Sequence, residues 1–194
     1  MSISFDLKGV TGAGASPTVV VLASGRGERF VASGGRGSKL QALLAGKAVL
    51  EHTLQAVRAS GLPWHLENAG HAGMGDSIAA GVRATRDAGG WLILPGDLPL
   101  LRPESLRRVA AALAAGYGVV LPTHERRQGH PVGFGAECRD ALLLLSGAQG
   151  AAPVAQGQKA AGRALEMELD DPGIVTDIDT LADLARAEQL LAAR

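Results

Sequence analysis

The chain has 194 residues, 46% of them hydrophobic and 20% charged, which suits a globular protein with a sizeable core and excludes a disordered chain. Nineteen Lys and Arg balance nineteen Asp and Glu, so no overall positive field is available to hold a nucleic-acid backbone, and no nucleic-acid partner is expected. A single cysteine, Cys138, rules out an intramolecular disulfide framework, and no apolar run approaches the roughly 20 residues needed to span a bilayer; a soluble, cytoplasmic protein without a membrane partner is expected.

Residues 1–17 form a Gly-, Ala- and Ser-containing leader without a basic start or apolar block, expected to be a poorly ordered arm, and residues 18–194 are expected to form one domain. The first strand is Thr18 to Ala23, a short β-branched run that ends in glycines. A helix follows over Val49 to Ser60, then a weaker strand over Trp64 to Glu67, a helix over Ser77 to Ala88 and a strand over Trp91 to Leu94. Next come a helix over Pro103 to Ala115, a strand over Val119 to Leu121, a weaker strand over Pro131 to Gly135 and a helix over Ala136 to Leu145. Ser146 to Gly162 reads as a loop with a short Ala-rich helix, followed by weak strands over Ala164 to Leu169 and Ile174 to Asp177 and a last helix over Thr180 to Ala193. Apolar positions three and four apart mark the helices, and their alternation with buried strands predicts α/β architecture: a three-layer α/β/α sandwich around a mostly parallel sheet. Ligands of such sheets bind beyond the carboxyl ends of the strands, so the loops after Ala23 and after Leu94 are the places to look.

The first loop reads LASGRGERF, Leu22 to Phe30. Its glycines let backbone N–H groups face an anion, so Leu22, Ala23, Ser24, Gly25, Arg26 and Gly27 are candidates to cradle a triphosphate, with Arg29 and Lys39 supplying positive charge. The plain alternative is a glycine turn with solvated charges. A dinucleotide fingerprint needs glycine where Phe30 stands, which argues against hydride transfer, and a P-loop needs Ser or Thr after the lysine, where Leu40 stands.

The second loop, LPGDLPL from Leu94 to Leu100, places Asp97 directly after a buried strand and between two prolines, a stiff setting for a Mg²⁺ ligand that works together with substrate phosphates. Capping of the helix at Pro103 is the alternative, weakened by its distance along the chain. In GMGDSIAAG, Gly73 to Gly81, the N–H groups of a first helical turn are free for a base edge or a phosphate, so Gly75 and Ser77 are candidates, unless Asp76 or Ser77 serves only as a cap. His130 begins GHPVGF, where a lone histidine is more often a structural hydrogen bonder than a catalyst. In DDPGIVTDID, Asp177 and Asp179 lie on the same side of an extended segment and are able to complete a metal site, although Thr180 or Asp179 also fits as the start of the last helix, with Asp183 in its first turn.

Taken in order, LASGxGxRF with a later lysine, GMGxSIAAGV, GDLPL, GHPVGF and DIDTLADL resemble the MobA-like nucleotidyltransferases, nearest the molybdenum cofactor cytidylyltransferase branch, over about Val19 to Leu190. The resemblance implies a Rossmann-like fold of the nucleotide-diphospho-sugar transferase type and an NTP at the LASG loop. It implies Mg²⁺ as cofactor at Asp97 and Asp177, and pyrophosphate as leaving group. Catalytic roles fall to Arg29, Lys39 and Asp97. Leu98, Pro99, His130 and Asp179 fall on the acceptor side, the acceptor being the phosphate of molybdopterin, with a molybdoenzyme as the partner that receives the product. The family loop reads LAAG in the cytidylyl branch and LAGG in the guanylyl branch; Ser24 at that position favours CTP over GTP. Two departures stand out. VASGGRGS lengthens the link between Phe30 and Lys39, so that Arg36 competes with Lys39 for the phosphates, and the chain between Leu62 and Glu67 is too short for a strand–helix unit that the family carries. The alternatives are a guanylyltransferase, a nucleotidyltransferase for another phosphorylated small molecule, and a non-catalytic cofactor carrier.

Overall fold

The structure, a computed structural model, describes residues 15–25 and 27–193. In chain order its elements are β1 (Thr18–Leu22), α1 (Glu28–Ala32), a hairpin of β2 (Leu43–Leu44) and β3 (Lys47–Ala48), α2 (Val49–Ser60), β4 (Trp64–Glu67), α3 (Met74–Ala84), β5 (Gly90–Pro95) and α4 (Pro103–Ala114). The second half comprises β6 (Val119–His124), β7 (Arg127–Gln128), β8 (Val132–Gly135), α5 (Arg139–Leu143), α6 (Ala152–Ala160), β9 (Ala164–Glu168) and α7 (Leu181–Ala192). Of the expected leader, residues 1–14 lie outside the described residues; Ser16 accepts a hydrogen bond from the Gly89 amide at 3.2 Å, next to the start of β5.

The main sheet runs β4-β1-β5-β8-β6, with β9 on the far side of β6 and β7 continuing the β6 hairpin. β1 pairs in parallel with β4 and β5, and β6 with β9, while β8 is inserted antiparallel between β5 and β6. The sheet is therefore mixed but mostly parallel, as expected. Among the described residues β4 is the edge next to β1, which agrees with the missing strand–helix unit.

The two-residue period of β1 sends Val19 and Val21 to one face and Val20 to the other. Val19 and Val21 pack with Leu54 and Val57 of α2 and Leu106 and Val109 of α4, while Val20 packs with Ile78 and Val82 of α3 and Leu142 of α5. Both faces of the sheet are covered, which gives the three layers. A third cluster, with Phe30, Leu44, Leu100, Ile178 and Ala187, joins α1, the hairpin and α7 at the carboxyl end of β1 and β5.

Several elements differ from expectation, and the helix expected over Ala136 to Leu145 is a 3₁₀ turn, Ala136–Cys138, followed by the short α5, Arg139–Leu143. Ile174 to Asp177 is not a strand: a 3₁₀ turn spans Pro172–Val175, because the Asp171 carboxylate accepts from the Gly173 amide at 2.9 Å and the Thr176 hydroxyl donates to the Pro172 carbonyl at 2.7 Å, closing the chain locally. The third helix begins at Met74 rather than Ser77 and stops at Ala84 rather than Ala88. The hydrophobic periodicity misses its first turn, since Gly73 to Asp76 carry little apolar signal.

Candidate active site

Strands β1 and β5 lie side by side and end together, so the two loops that follow them face each other. The Gly96 amide donates to the Leu22 carbonyl at 2.9 Å, and the Thr53 hydroxyl donates to the Gly96 carbonyl at 3.0 Å, which fixes the turn before Asp97 against β1. A Cβ at Gly96 would stand 2.9 Å from Leu50 Cδ1 and 3.1 Å from the Leu22 carbonyl oxygen, so only glycine fits without displacing its neighbours.

The turns enclose a cavity of about 390 Å³. Leu22, Ser24 and Gly25 of the first loop, Lys39, Asp97, and His71 to Met74 with Ser77 line it. The volume is ample for a small nucleotide ligand. Ser24 and Ser77 share a hydroxyl–hydroxyl hydrogen bond of 2.7 Å, which ties the LASG loop to α3.

Lys39 is the centre of the charged cluster. Its Nζ donates to Asp97 Oδ2 at 2.5 Å and to Asp179 Oδ1 at 2.7 Å, and Arg29 reaches Asp179 Oδ2 at 2.7 Å. Burial alone would push the lysine pKa down, yet the charges and hydrogen bonds of Asp97 and Asp179 outweigh it and hold it above the ordinary value. Lys39 therefore stays cationic over the physiological range. Arg36, expected to compete with it, is exposed and does not line the cavity, so the lengthened link leaves Lys39 as the basic residue inside.

Asp97 is 8% exposed, and its second carboxylate oxygen, Oδ1, is buried without a hydrogen-bond partner. Such an oxygen in the interior calls for a cation or a donor. The last acidic segment is fastened to the same turn: the Ile178 amide donates to the Asp97 carbonyl at 3.0 Å. That brings Asp177 and Asp179 to the site, although Asp179, and not Asp177, shares Lys39 with Asp97. Loss of hydration, then the nearby charges of Asp179 and Asp97, raises the Asp177 pKa even though part of its surface is exposed. His130 sits against Asp97 and Asp177; burial lowers its pKa more than those two carboxylates and a hydrogen bond to the Ile93 backbone raise it, so the ring is neutral at pH 7. Its Nδ1 is buried without a partner.

Other expected residues take other places. Arg26 lies outside the described residues. Gly27, at φ 64°, caps α1, and the Ala23 amide is taken by the Glu67 carbonyl at 2.8 Å. Gly75 faces the 146–149 loop, where its amide donates to the Gly147 carbonyl at 2.9 Å, and it does not line the cavity. Leu98, 1% exposed, packs in the core with Leu101 and Leu106, and Pro99 is buried; neither side chain is open to an acceptor. Sequence reasoning missed Glu67 and His71. Glu67 ends the strand Trp64–Glu67 and His71 sits in a segment without periodicity, so the only signal was an acidic residue ending a strand that leads into the GMG helix.

Asp171 was missed as well. Its carboxylate accepts from the Arg102 amide at 2.9 Å and from the Ser105 hydroxyl at 2.6 Å, so it caps α4 from a distant part of the chain and anchors the segment that carries Asp177 and Asp179.

Comparison with known proteins decides the family: residues 55–164 match the MobA-like NTP transferase domain. The chain belongs to this family of nucleotidyltransferase domains. Among curated proteins it is 34% identical over 117 residues to a phosphoenolpyruvate guanylyltransferase of Nocardia farcinica, covering 59% of this chain and 47% of that one. It is 28% identical over 152 residues to the bifunctional protein GlmU of Alkalilimnicola ehrlichii, covering 67% of this chain and 31% of the relative. The chain thus spans half or less of the curated relatives it matches. Among solved structures, a nucleotidyl transferase from Methanothermobacter thermautotroptrophicus superposes with a TM-score of 0.76 at 22% identity, over 93% of this chain and 100% of the other. A molybdopterin-guanine dinucleotide biosynthesis protein A from Archaeoglobus fulgidus gives 0.61 at 19% identity, over 91% and 100%. A Mycobacterium tuberculosis protein solved in complex with manganese gives 0.62 at 21% identity, over 90% and 99%. These likenesses establish the nucleotidyltransferase fold.

Proposed function

We propose that this MobA-like domain transfers a nucleotidyl group from an NTP to the phosphate of a small-molecule acceptor, releasing pyrophosphate, with CTP and a molybdopterin-type acceptor as the specific pair. The observation that carries the reading is one half-buried cationic lysine, shared by two carboxylates, in the cavity that the LASG loop also lines. In this reading Ser24 and Gly25 hold the nucleotide, and Arg29 and Lys39 take up the charge of the departing pyrophosphate. The reaction needs positioning and charge neutralisation rather than a side-chain nucleophile: an acceptor phosphate oxygen attacks the α-phosphorus in line as the bond to the pyrophosphate oxygen breaks.

Asp97 and Asp177 would hold a divalent ion, Mg²⁺ in this proposal, and the buried, unpartnered Asp97 Oδ1 fits one. Among the described residues no group of three or more His, Cys, Asp or Glu side chains is arranged to hold a metal by itself. That agrees with a magnesium site completed by substrate phosphates. When bound, the ion would neutralise charge on the α-phosphate and acceptor oxygens. The manganese in a structural relative supports a divalent cation as cofactor. Lys39 must then leave the carboxylates for the phosphates when the substrate enters, which couples nucleotide binding to metal binding.

Guanylyl transfer is the second reading, favoured by the Nocardia relative. Purified protein offered each of the four NTPs with Mg²⁺ or Mn²⁺ and molybdopterin separates the two by the dinucleotide formed and the pyrophosphate released. Cytidylyl product is expected. Tight molybdopterin binding without pyrophosphate release from any NTP would favour a cofactor carrier instead.

A further inference from the structure

The cavity that holds Lys39 and Asp97 is also lined by residues that neither the phosphates nor the metal require, His71 among them. In the proposed reading the triphosphate takes Lys39 and Asp97, which leaves the segment His71–Met74, lining the same cavity, to meet the nucleobase. Glu67 closes β4 just behind this segment and is 7% exposed. It accepts hydrogen bonds from the Ala69 amide at 3.1 Å and from His71 Nε2 at 3.0 Å, with His65 Nε2 3.4 Å away. Desolvation alone would raise its pKa, but His71, the Ala69 amide and His65 together hold it below the usual carboxylate value. At neutral pH Glu67 is therefore an acceptor only, and the His71 nitrogen facing it must carry a hydrogen. In the neutral ring that fixes the tautomer and leaves Nδ1 as an acceptor on a side chain that lines the cleft.

We infer that His71, oriented by Glu67, accepts a hydrogen bond from the exocyclic amino group of the nucleobase and selects amino-bearing bases against uracil. The inference rests on the nucleotidyltransferase reading and deepens it. Cytosine, adenine and guanine each carry such an amino group, whereas uracil offers a carbonyl oxygen at the matching position, which sets acceptor against acceptor. A polar group built to pair with one substrate and left unpaired by its analogue discriminates strongly. Glu67 is here a positioning residue that acts through His71. Ser24 and Ser77 then shape the cleft, while the chemical choice of base falls to the histidine.

The test is the dissociation constant of CTP and UTP, and of GTP and ITP, measured calorimetrically with Mn²⁺ on the wild-type chain and on His71→Phe and His71→Gln. The wild type is expected to prefer the amino-bearing member of at least one pair by about tenfold or more. His71→Phe should bring that ratio to within about twofold, while the protein stays folded, with a lower melting temperature from the lost Glu67 partner, and the affinity for pyrophosphate with Mn²⁺ stays at the wild-type value. His71→Gln, which restores a carbonyl acceptor, should recover part of the preference. An unchanged ratio in folded His71→Phe, or a wild type that binds both members of each pair equally, overturns the inference and leaves the nucleotidyltransferase reading standing. A wild type that binds no NTP at all overturns both.

Discussion

Asp97 and Lys39 form one unit, and their replacements should separate chemistry from binding. Asp97→Asn keeps the size of the side chain and the turn that Gly96 fixes, so the protein is expected to fold with its melting temperature little changed, while turnover falls by about 100-fold or more, the scale of losing one charge-stabilising group. Wild-type turnover with Mg²⁺ in that variant would remove the metal role. Lys39→Met should do two opposite things. It removes the cation that now holds Asp97 and Asp179, at 2.5 and 2.7 Å, so Mn²⁺ alone should bind about tenfold tighter, equivalent to about 1.4 kcal/mol of competition removed. NTP affinity should fall at the same time. Titration calorimetry with Mn²⁺ alone and with NTP reads both; tighter NTP binding, or unchanged Mn²⁺ binding, would contradict this division of labour. The candidate Asp97 was legible in the sequence because a carboxylate between two prolines after a buried strand is unusual. Its pairing with Asp179 through Lys39 was not, since 58 and 140 residues separate the lysine from its two partners and no local pattern encodes such distances.

At the scale of elements, legibility followed the strength of the periodic signal. The helix Val49–Ser60 and the strand Trp64–Glu67 have the expected bounds, because one carries a clear apolar stripe and the other alternates polar and apolar residues. Pro172–Val175 was misread as extended, because its turn depends on a side chain, Asp171, that competes with the strand conformation. Helix α7 shows a start signal that could be read. Thr180 accepts from the Asp183 amide at 3.2 Å, and Asp183 Oδ2 accepts from the Thr180 amide at 2.8 Å, a reciprocal cap that also positions Asp179 next to it. Desolvation would raise the Asp183 pKa, but the Thr180 hydroxyl, the amides of residues 179 and 180 and Arg186 lower it further than burial raises it. A depressed carboxylate stabilises the fold above its unfolded value of about 3.9, and that contribution is lost as the pH falls through the lower folded value. Asp183→Ala should therefore cost about 1 kcal/mol in urea unfolding at pH 7. As the pH falls below the folded value of Asp183, the cost should shrink toward zero. An equal cost at both pH values would mean that α7 is held by packing alone.

The whole molecule places a mixed sheet between two helical layers and gathers the site at one end of the strands, which the alternation of elements foretold. The antiparallel insertion of β8 between β5 and β6 was not foretold, because strand order depends on long-range pairing that a single sequence does not display. Cys138 offers a probe of this architecture as a unit. It is 1% exposed in the cluster beneath α5, its thiol donates to the Gly118 carbonyl at 3.4 Å, and burial, followed by the charge of Glu137, pushes its pKa up to about 11. A thiol so placed is neither accessible nor ionised at pH 8, and reactivity belongs to the thiolate. The native protein should thus resist a disulfide reagent at pH 8, and one thiol should react at once in concentrated guanidinium. Slow labelling in mild denaturant should report opening of the whole sheet, as expected for a group in the most protected core. If the cleft binds NTP with a divalent ion, the ligand stabilises only the native state, and labelling should slow by a factor of 1 + [L]/Kd, about 100-fold at a hundred times Kd. Asp97→Asn should label at the wild-type rate without ligand and lose most of the protection by NTP and Mn²⁺. Rapid labelling of native wild type would show that the layer over Cys138 opens by itself, independently of the site.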